Sequence, residues 1–309
     1  FQPGDEVITP SFTYVATTEV IALLRLKPVF VEVNTKTFCV DPEAIRKAIT
    51  PKTKAIVPVH LYGHACGMEE IMAIAKEHNL FVIEDNAQAI GSDYTFKDGT
   101  KQKTGSIGTI GCTSFFPSKN LGCYGDGGAI CTNDDALAEK LKMIANHGQS
   151  KRYYHDMVGC NSRLDALQAA ILNIKLPLLD QYIDARRKAA DFYDKAFAGN
   201  EKITTPFRAD YCTHVFHQYT LVLENVDNAE SLRDGLVAFL AENDIPSMIY
   251  YPVPAHKQKM FAAFGGADYD LEKTDWLTHR VISLPIHTEL DEEQQIYITK
   301  KVLEYVNNN

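Results

Sequence analysis

"LFVIEDNAQAIG", residues 80–91, is the stretch on which the fold turns. Leu80–Glu84 is short and apolar almost throughout, with no polar face, so it reads as a strand buried on both sides. The chain then turns polar at Asp85 and Asn86. In open α/β sheets, ligands bind beyond the carboxyl ends of the strands. Asp85 is therefore placed at such a crevice, with Gln88 three residues on. A cap for a following helix is the second reading of Asp85, and spacing alone does not separate the two.

The same texture extends outward from this strand. Strands are predicted at Glu6–Thr9, Val29–Val33, Ala55–His60, Ile110–Phe115 and Gly128–Thr132. Helical patterns lie between them, at Val15–Leu24, Pro42–Ile49, Met68–His78 and Asp135–Asn146. Apolar strands separated by helices imply a mostly parallel sheet covered on both faces. From Asn161 to Phe197 the apolar positions recur at three and four, which predicts one long helix bent at Pro177. Beyond it, "VFHQYTLVL" and "SMIYYPV" read as strands, and Ser231–Asn243, Lys273–Arg280 and Asp291–Val306 as helices. A chain of 309 residues exceeds one ordinary domain. The expected α/β architecture is a large domain over residues 1–180, followed by the connecting helix and a smaller α+β domain over residues 181–309.

Composition narrows the function. The chain is 45% apolar and 23% charged, with a net charge of −9 and no extended Lys/Arg cluster. That argues against a nucleic-acid partner. No apolar run is long enough to span a membrane, so none is expected. The seven cysteines are scattered, odd in number and without a C-x-x-C pair. They fit a reducing cytoplasm and small buried hydrophobes, with neither disulfides nor a metal site. The opening "FQPGDEVITPSFTY" reads as the end of a helix, a Pro-Gly turn and a strand, so further residues are expected before Phe1.

A second stretch, "CTSFFPSKNLGCYGDGGAICTND" (residues 112–134), sets Lys119 between an aromatic strand and a turn containing Gly122, Gly125, Gly127 and Gly128. The sheet brings this lysine and Asp85 to one rim, with Ser114 and the N–H groups of the glycine turn nearby. That set suits pyridoxal phosphate, which needs a lysine for its Schiff base and an acid for its ring nitrogen. It also needs hydroxyls and N–H groups for its phosphate. Tyr14, just after the first strand, is a candidate to stack on the ring. A lysine with a pKa of about 10.4 is a poor nucleophile at neutral pH until it is desolvated. The apolar neighbours of Lys119 would supply that desolvation.

The chain resembles the DegT/DnrJ/EryC1/StrS sugar aminotransferases. The stretches that carry the resemblance are "PGDEVITPSFTYVAT", "AIVPVHLYG", "VIEDNAQAIG", "CTSFFPSKNLGCYGDGGAI", "GCNSRLDALQAAIL" and "SLPIHTEL". The resemblance implies the aspartate-aminotransferase-like fold (fold type I) with pyridoxal 5'-phosphate as cofactor. It further implies that Lys119 is the Schiff-base lysine, Asp85 the partner of the ring nitrogen and Gln88 the residue that reaches the ring hydroxyl. Ser114 resembles a phosphate ligand, and Tyr14 the stacked aromatic. Asn161 resembles an asparagine that reaches the phosphate of the neighbouring subunit in a homodimer; a cap for the long helix is its other reading. A lysine at position 119, where some relatives carry histidine, favours transamination over dehydration.

Two departures stand out. The family's N-G-T-[DE]-A-L phosphate motif is not in the chain, and in "MIYYPVPAHKQ" Tyr250 takes a position that is commonly histidine. Within the family, "HGQSKRYYHDMVGCNSRLDALQAAIL" resembles enzymes acting on a UDP-linked 2-acetamido-3-keto-hexuronic acid in O-antigen synthesis. The implied reaction moves the amino group of L-glutamate to a nucleotide-linked keto-sugar in a ping-pong cycle. Arg163 then reads either as a carboxylate ligand or as one half of an ion pair with Asp165 or another acid. Tyr251 and His256 are further substrate candidates, and His217 reads as structural. The alternatives are a dTDP- or UDP-4-keto-6-deoxyhexose substrate, or a regulatory protein without catalysis.

Overall fold

The computed structural model describes residues 1–309, the side chain of Ala267 excepted. The first half alternates as read: β1 (Glu6–Pro10), α1 (Ala16–Leu23), β2 (Lys27–Val31), α2 (Pro42–Ala48), β3 (Thr53–Ile56), α3 (Met68–His78) and β4 (Phe81–Asp85). A small hairpin, β5 (Asp93–Thr95) and β6 (Lys101–Lys103), precedes β7 (Ile110–Ser114), β8 (Gly128–Cys131) and α4 (Asp135–Ile144). A second hairpin, β9 (Gln149–Lys151) and β10 (Tyr154–His155), leads to α5 (Ala166–Lys175) and α6 (Leu179–Phe197). The rest comprises β11 (Ile203–Thr204), β12 (Tyr219–Leu223), α7 (Ala229–Glu242), α8 (Glu272–Thr278), β13 (Val281–Leu284) and α9 (Glu292–Asn308).

Six strands form the main sheet in the order β2-β1-β3-β4-β7-β8. All neighbours in it are parallel except β7 and β8. The small sheet, β11-β12-β13, is antiparallel throughout. The expected long helix is interrupted. It begins at Ala166 rather than Asn161, and a 3-10 turn at Leu176–Leu178 separates α5 from α6. Pro177 lies in that turn, where its missing N–H breaks the α-helical ladder. "SMIYYPV" is not a strand: Met248 alone bridges to Ser283, and Tyr251 then turns into the left-handed region at φ 59°. The short hairpins and β13 had no periodicity long enough to read.

Coverage of the main sheet is uneven, contrary to expectation. Every residue of β1 is buried, whereas β8 is largely exposed and α4 buries no residue. A cavity of about 840 Å³ lies between β7, β8 and α4. Another of about 610 Å³, mostly apolar, runs beside α1 and reaches Asp85 and Ser114.

Helix α6 serves two cores. Its first turns place Leu179 and Ile183 against Phe115, Leu121 and Cys123, the frame of the lysine loop. Its later turns place Ala189, Ala190, Tyr193 and Phe197 in the core of the small sheet. Arg186 sits between them. It donates to the carbonyls of Phe216 (3.0 Å), His217 (3.3 Å) and Ile286 (3.0 Å). It makes no ion pair among the described residues. Burial lowers its pKa to about 10.

Successive residues of a strand face opposite ways. On β4 this separates two adjacent acids. Glu84 is fully buried and accepts N–H groups from Gly105 (2.8 Å), Ile107 (2.7 Å) and Gly108 (2.7 Å). His60 Nε2 lies 2.9 Å from it, while His60 Nδ1 accepts the N–H of Cys66 at 3.1 Å, so the imidazole carries its proton on Nε2 and donates to Glu84. Burial alone would raise the Glu84 pKa. The His60 bond and the N–H groups of Gly108 and Gly105 outweigh it and hold the carboxyl below its ordinary 4.5. A carboxyl depressed by folding adds stability above its unfolded value and loses it as pH falls through the folded one. Thermal melts of Glu84→Gln should show a loss of about 2–4 kcal/mol near neutrality. They should also show a flatter decline below pH 4.5 than the parent. Equal acid limbs would remove Glu84 from the acid response.

Candidate active site

Asp85 ends β4, and the chain behind it forms a turn, not a helix. Its Oδ1 accepts the N–H of Ala87 at 3.0 Å, an Asx-type turn, and its Oδ2 accepts the hydroxyl of Thr17 at 2.6 Å. The helix-cap reading therefore fails for Asp85. Thr17 is buried on α1 and was not legible beforehand, since nothing in its spacing couples it to a residue 68 positions away.

Lys119 follows β7 in a closed loop. Its N–H bonds the carbonyl of Phe116 at 2.8 Å, and the next residue, Asn120, donates to Val215 O at 2.9 Å. The side chain is half-buried. Burial lowers its pKa, and the charge of Asp85 offsets part of that. The loop glycines serve close approach: a Cβ on Gly122 would stand 2.4 Å from the carbonyl oxygen of Pro117. The N–H groups of Cys123 and Tyr124 are spent within the structure, on Phe115 O and Gln168 Oε1. The turn is thus less open to a phosphate than its glycines suggested. Ser114 Oγ accepts the N–H of Phe116 at 3.2 Å, which leaves its own proton to donate.

Gln88 is held at both ends, with its Oε1 on the N–H of Tyr62 at 2.6 Å and its Nε2 on the hydroxyl of Tyr251 at 2.9 Å. Tyr14 is 61% exposed and open to a flat ligand. His217 is buried and its Nδ1 has no partner. Burial, together with the charges of Lys119 and Arg186, holds it well below the ordinary imidazole value, so it is neutral at pH 7.

Other expectations change. Asn161 is exposed and bridges to Asn146, while Asp165 precedes the first turn of α5, so Asn161 does not cap the helix. Arg163 is exposed and donates to Asn146 Oδ1 at 2.7 Å, with no carboxylate within 4 Å among the described residues. The expected pairing with Asp165 is absent there. His256 is only 2% exposed, with Nδ1 2.7 Å from Ser11 Oγ, and offers almost no surface to a ligand. Its burial follows from the bond to Ser11, which ties it beneath the end of β1.

The set that remains fits pyridoxal phosphate by its chemistry: a lysine partly desolvated beside Asp85, an oriented carboxylate, an amide, a donor hydroxyl and an open aromatic residue. No cluster of metal-ligating residues occurs among the described residues. No described helix is long and apolar enough to cross a membrane.

The chain belongs to the DegT/DnrJ/EryC1/StrS aminotransferase family, which it matches over residues 1–303. It is 48% identical to a pleiotropic regulatory protein of Geobacillus stearothermophilus, over 98% of this chain and 79% of that one. It is 46% identical to the UDP-2-acetamido-2-deoxy-3-oxo-D-glucuronate aminotransferase of Pseudomonas aeruginosa, over 94% of this chain and 76% of that one. The UDP-N-acetyl-3-dehydro-alpha-D-glucosamine 3-aminotransferase of Acidithiobacillus ferrooxidans is 47% identical, over 94% of this chain and 75% of that one. The solved structure of NtdA from Bacillus subtilis with bound cofactor PMP superposes with a TM-score of 0.89 at 31% identity, over 99% of this chain and 69% of that one. Enzymes of this family use pyridoxal phosphate.

Among the lysines, Lys119 should react fastest with pyridoxal phosphate at neutral pH. Borohydride reduction and peptide mapping should place the label on Lys119, and Asp85→Asn should lower its extent. Labelling spread evenly over surface lysines would contradict the desolvated site.

Proposed function

We propose that this protein aminates a UDP-linked 2-acetamido-2-deoxy-3-keto-glucuronic acid, taking the amino group from L-glutamate. The observation that carries the reading is the meeting of a desolvated Lys119 with a doubly held Asp85 at one rim. Bound pyridoxal phosphate supplies an electron sink for both halves of the exchange. Asp85, fixed by Thr17 and Ala87, holds a proton at the ring nitrogen and keeps the sink strong. Lys119 anchors the cofactor. Once displaced, its amine, made less basic by burial, moves a proton to and from the substrate carbon. Tyr14 covers the ring, Ser114 donates to the phosphate, and Asn161 reaches the phosphate of a second subunit.

Two relatives at 46% and 47% identity act on UDP-linked 2-acetamido sugars with a keto group at carbon 3. They differ in the carboxylate at carbon 6. Arg163, exposed and without an acid partner among the described residues, supports the uronic acid. Tyr251 remains a candidate at the edge of the sugar site. The wider reading is a cytoplasmic homodimer with shared sites, serving lipopolysaccharide O-antigen or another cell-surface polysaccharide and needing neither nucleic acid nor membrane. On this reading the chain divides into a large domain over 1–180, holding the main sheet, and a connecting helix with a small domain over 181–309, holding β11-β12-β13. A regulatory role without catalysis is the rival; the relative at 48% identity is named a pleiotropic regulatory protein.

Visible absorbance separates the two. Protein loaded with pyridoxal phosphate should show a Schiff-base band that L-glutamate bleaches, and the UDP-3-keto-uronate should restore it. Lys119→Ala should abolish turnover, and Asp85→Asn should lower kcat about 100-fold, on the order of 2.7 kcal/mol in the barrier. A band indifferent to glutamate would favour the regulatory reading. Restoration by a 4-keto-6-deoxyhexose, and not by the 3-keto-uronate, would replace the substrate.

A further inference from the structure

Gln88 has two chemically opposite ends, and its neighbours decide which way they point. The N–H of Tyr62 can only donate, and it stands 2.6 Å from the side chain of Gln88, so the atom facing it must be the carbonyl oxygen. The amide nitrogen then faces the hydroxyl of Tyr251 at 2.9 Å. A reversed amide would oppose two donors at Tyr62. One amide hydrogen goes to Tyr251, and one is left over.

The donor at Tyr62 is itself pinned. Tyr62 lies in the left-handed region at φ 56°, followed by Gly63 at φ 97°. A Cβ on Gly63 would stand 2.9 Å from the backbone nitrogen of Phe216 and from Val215 Cγ2. Phe216 and Val215 pack directly against this turn, and only glycine fits at position 63. The Tyr62 ring is buried and stacks on the Tyr251 ring, with centroids 6.1 Å apart and planes 14° from parallel. Phe12 meets Tyr251 edge-on at 5.5 Å. One residue therefore supplies the donor that orients one end of Gln88 and the surface that holds the partner of the other end. Burial pushes the Tyr251 phenol well above its ordinary pKa, so it stays un-ionised across the working range.

We propose that Tyr62 and Tyr251 are positioning residues that lock the Gln88 amide in one orientation and leave its second N–H for the ring oxygen of the cofactor. The proposal rests on the pyridoxal-phosphate reading above. Its consequence is electronic. An N–H donated to that oxygen competes with the proton of the Schiff-base nitrogen for the same acceptor. Losing it leaves the oxygen more basic and raises the pKa of the Schiff base.

The test is a visible-absorbance pH titration of the cofactor-loaded protein in a double-mutant cycle. Gln88→Glu keeps an acceptor for Tyr62 but removes the N–H, and should raise the Schiff-base pKa by about one unit or more. Tyr251→Phe keeps the stacked ring but removes the acceptor, and should shift the pKa the same way by less. The double variant should match Gln88→Glu alone, because Tyr251 reaches the ring oxygen only through Gln88. Should Gln88→Glu not fold, Gln88→Met gives the same comparison without a charge. An unchanged pKa in Tyr251→Phe, or fully additive shifts, overturns the proposal. A parent protein with no Schiff-base band overturns the cofactor reading instead, and the proposal falls with it.

Discussion

A buried carboxylate, Glu84, is the constraint on which the site depends. An ionised acid in the interior is tolerated only when its oxygens are fully engaged. Here one imidazole and three backbone N–H groups engage them. These bonds fasten β4 to the loop that leads into β7 and, through His60, to the segment after β3. Asp85 is the next residue, so the same bonds that satisfy Glu84 fix where Asp85 emerges. Its neighbour across the sheet, Cys112 on β7, starts the path to Lys119. The distance between acid and lysine is thus a property of sheet register rather than of either side chain.

The lysine loop gains its rigidity from elsewhere. Leu179 and Ile183 of α6 pack on its frame, and Asn120 ties it to the strand segment entering the small sheet. Desolvation of Lys119 is therefore set up by contacts with Leu179, Ile183 and Val215, far along the chain, and the later turns of the same α6 carry the second core. Fold and chemistry are not separable at this point: loosening α6 would rehydrate the amine and return it toward its ordinary basicity.

Much of this was legible and some was not, for physical reasons. The parallel strands and their helices showed because buried strands are uniformly apolar and amphipathic helices periodic. Asp85 stood out as a candidate because a polar group at a strand end interrupts that pattern, Lys119 because of the aromatic and glycine-rich chain around it, and Gln88 by the family resemblance. Thr17 and the Tyr62 N–H did not, since a hydroxyl on a helix and a backbone amide carry no signature of a distant partner. His256 reads as a substrate candidate, and nothing in the sequence shows that Ser11 pairs with it in the interior. The glycines of residues 122–128 misled as well, since close backbone approach and an open anion site call for the same residue. The helix start at Asn161 failed because a capping residue type is common where no cap exists.

Arg186 has a consequence of another kind. Its charge can leave water only when three carbonyls arrive together, two from the segment before β12 and one from the segment after β13. None of them alone compensates a buried guanidinium. Partial docking of the small sheet is therefore penalised at this one atom cluster, which couples the two segments at the junction. One side chain at the seam thus ties the segment entering β12 to the segment leaving β13.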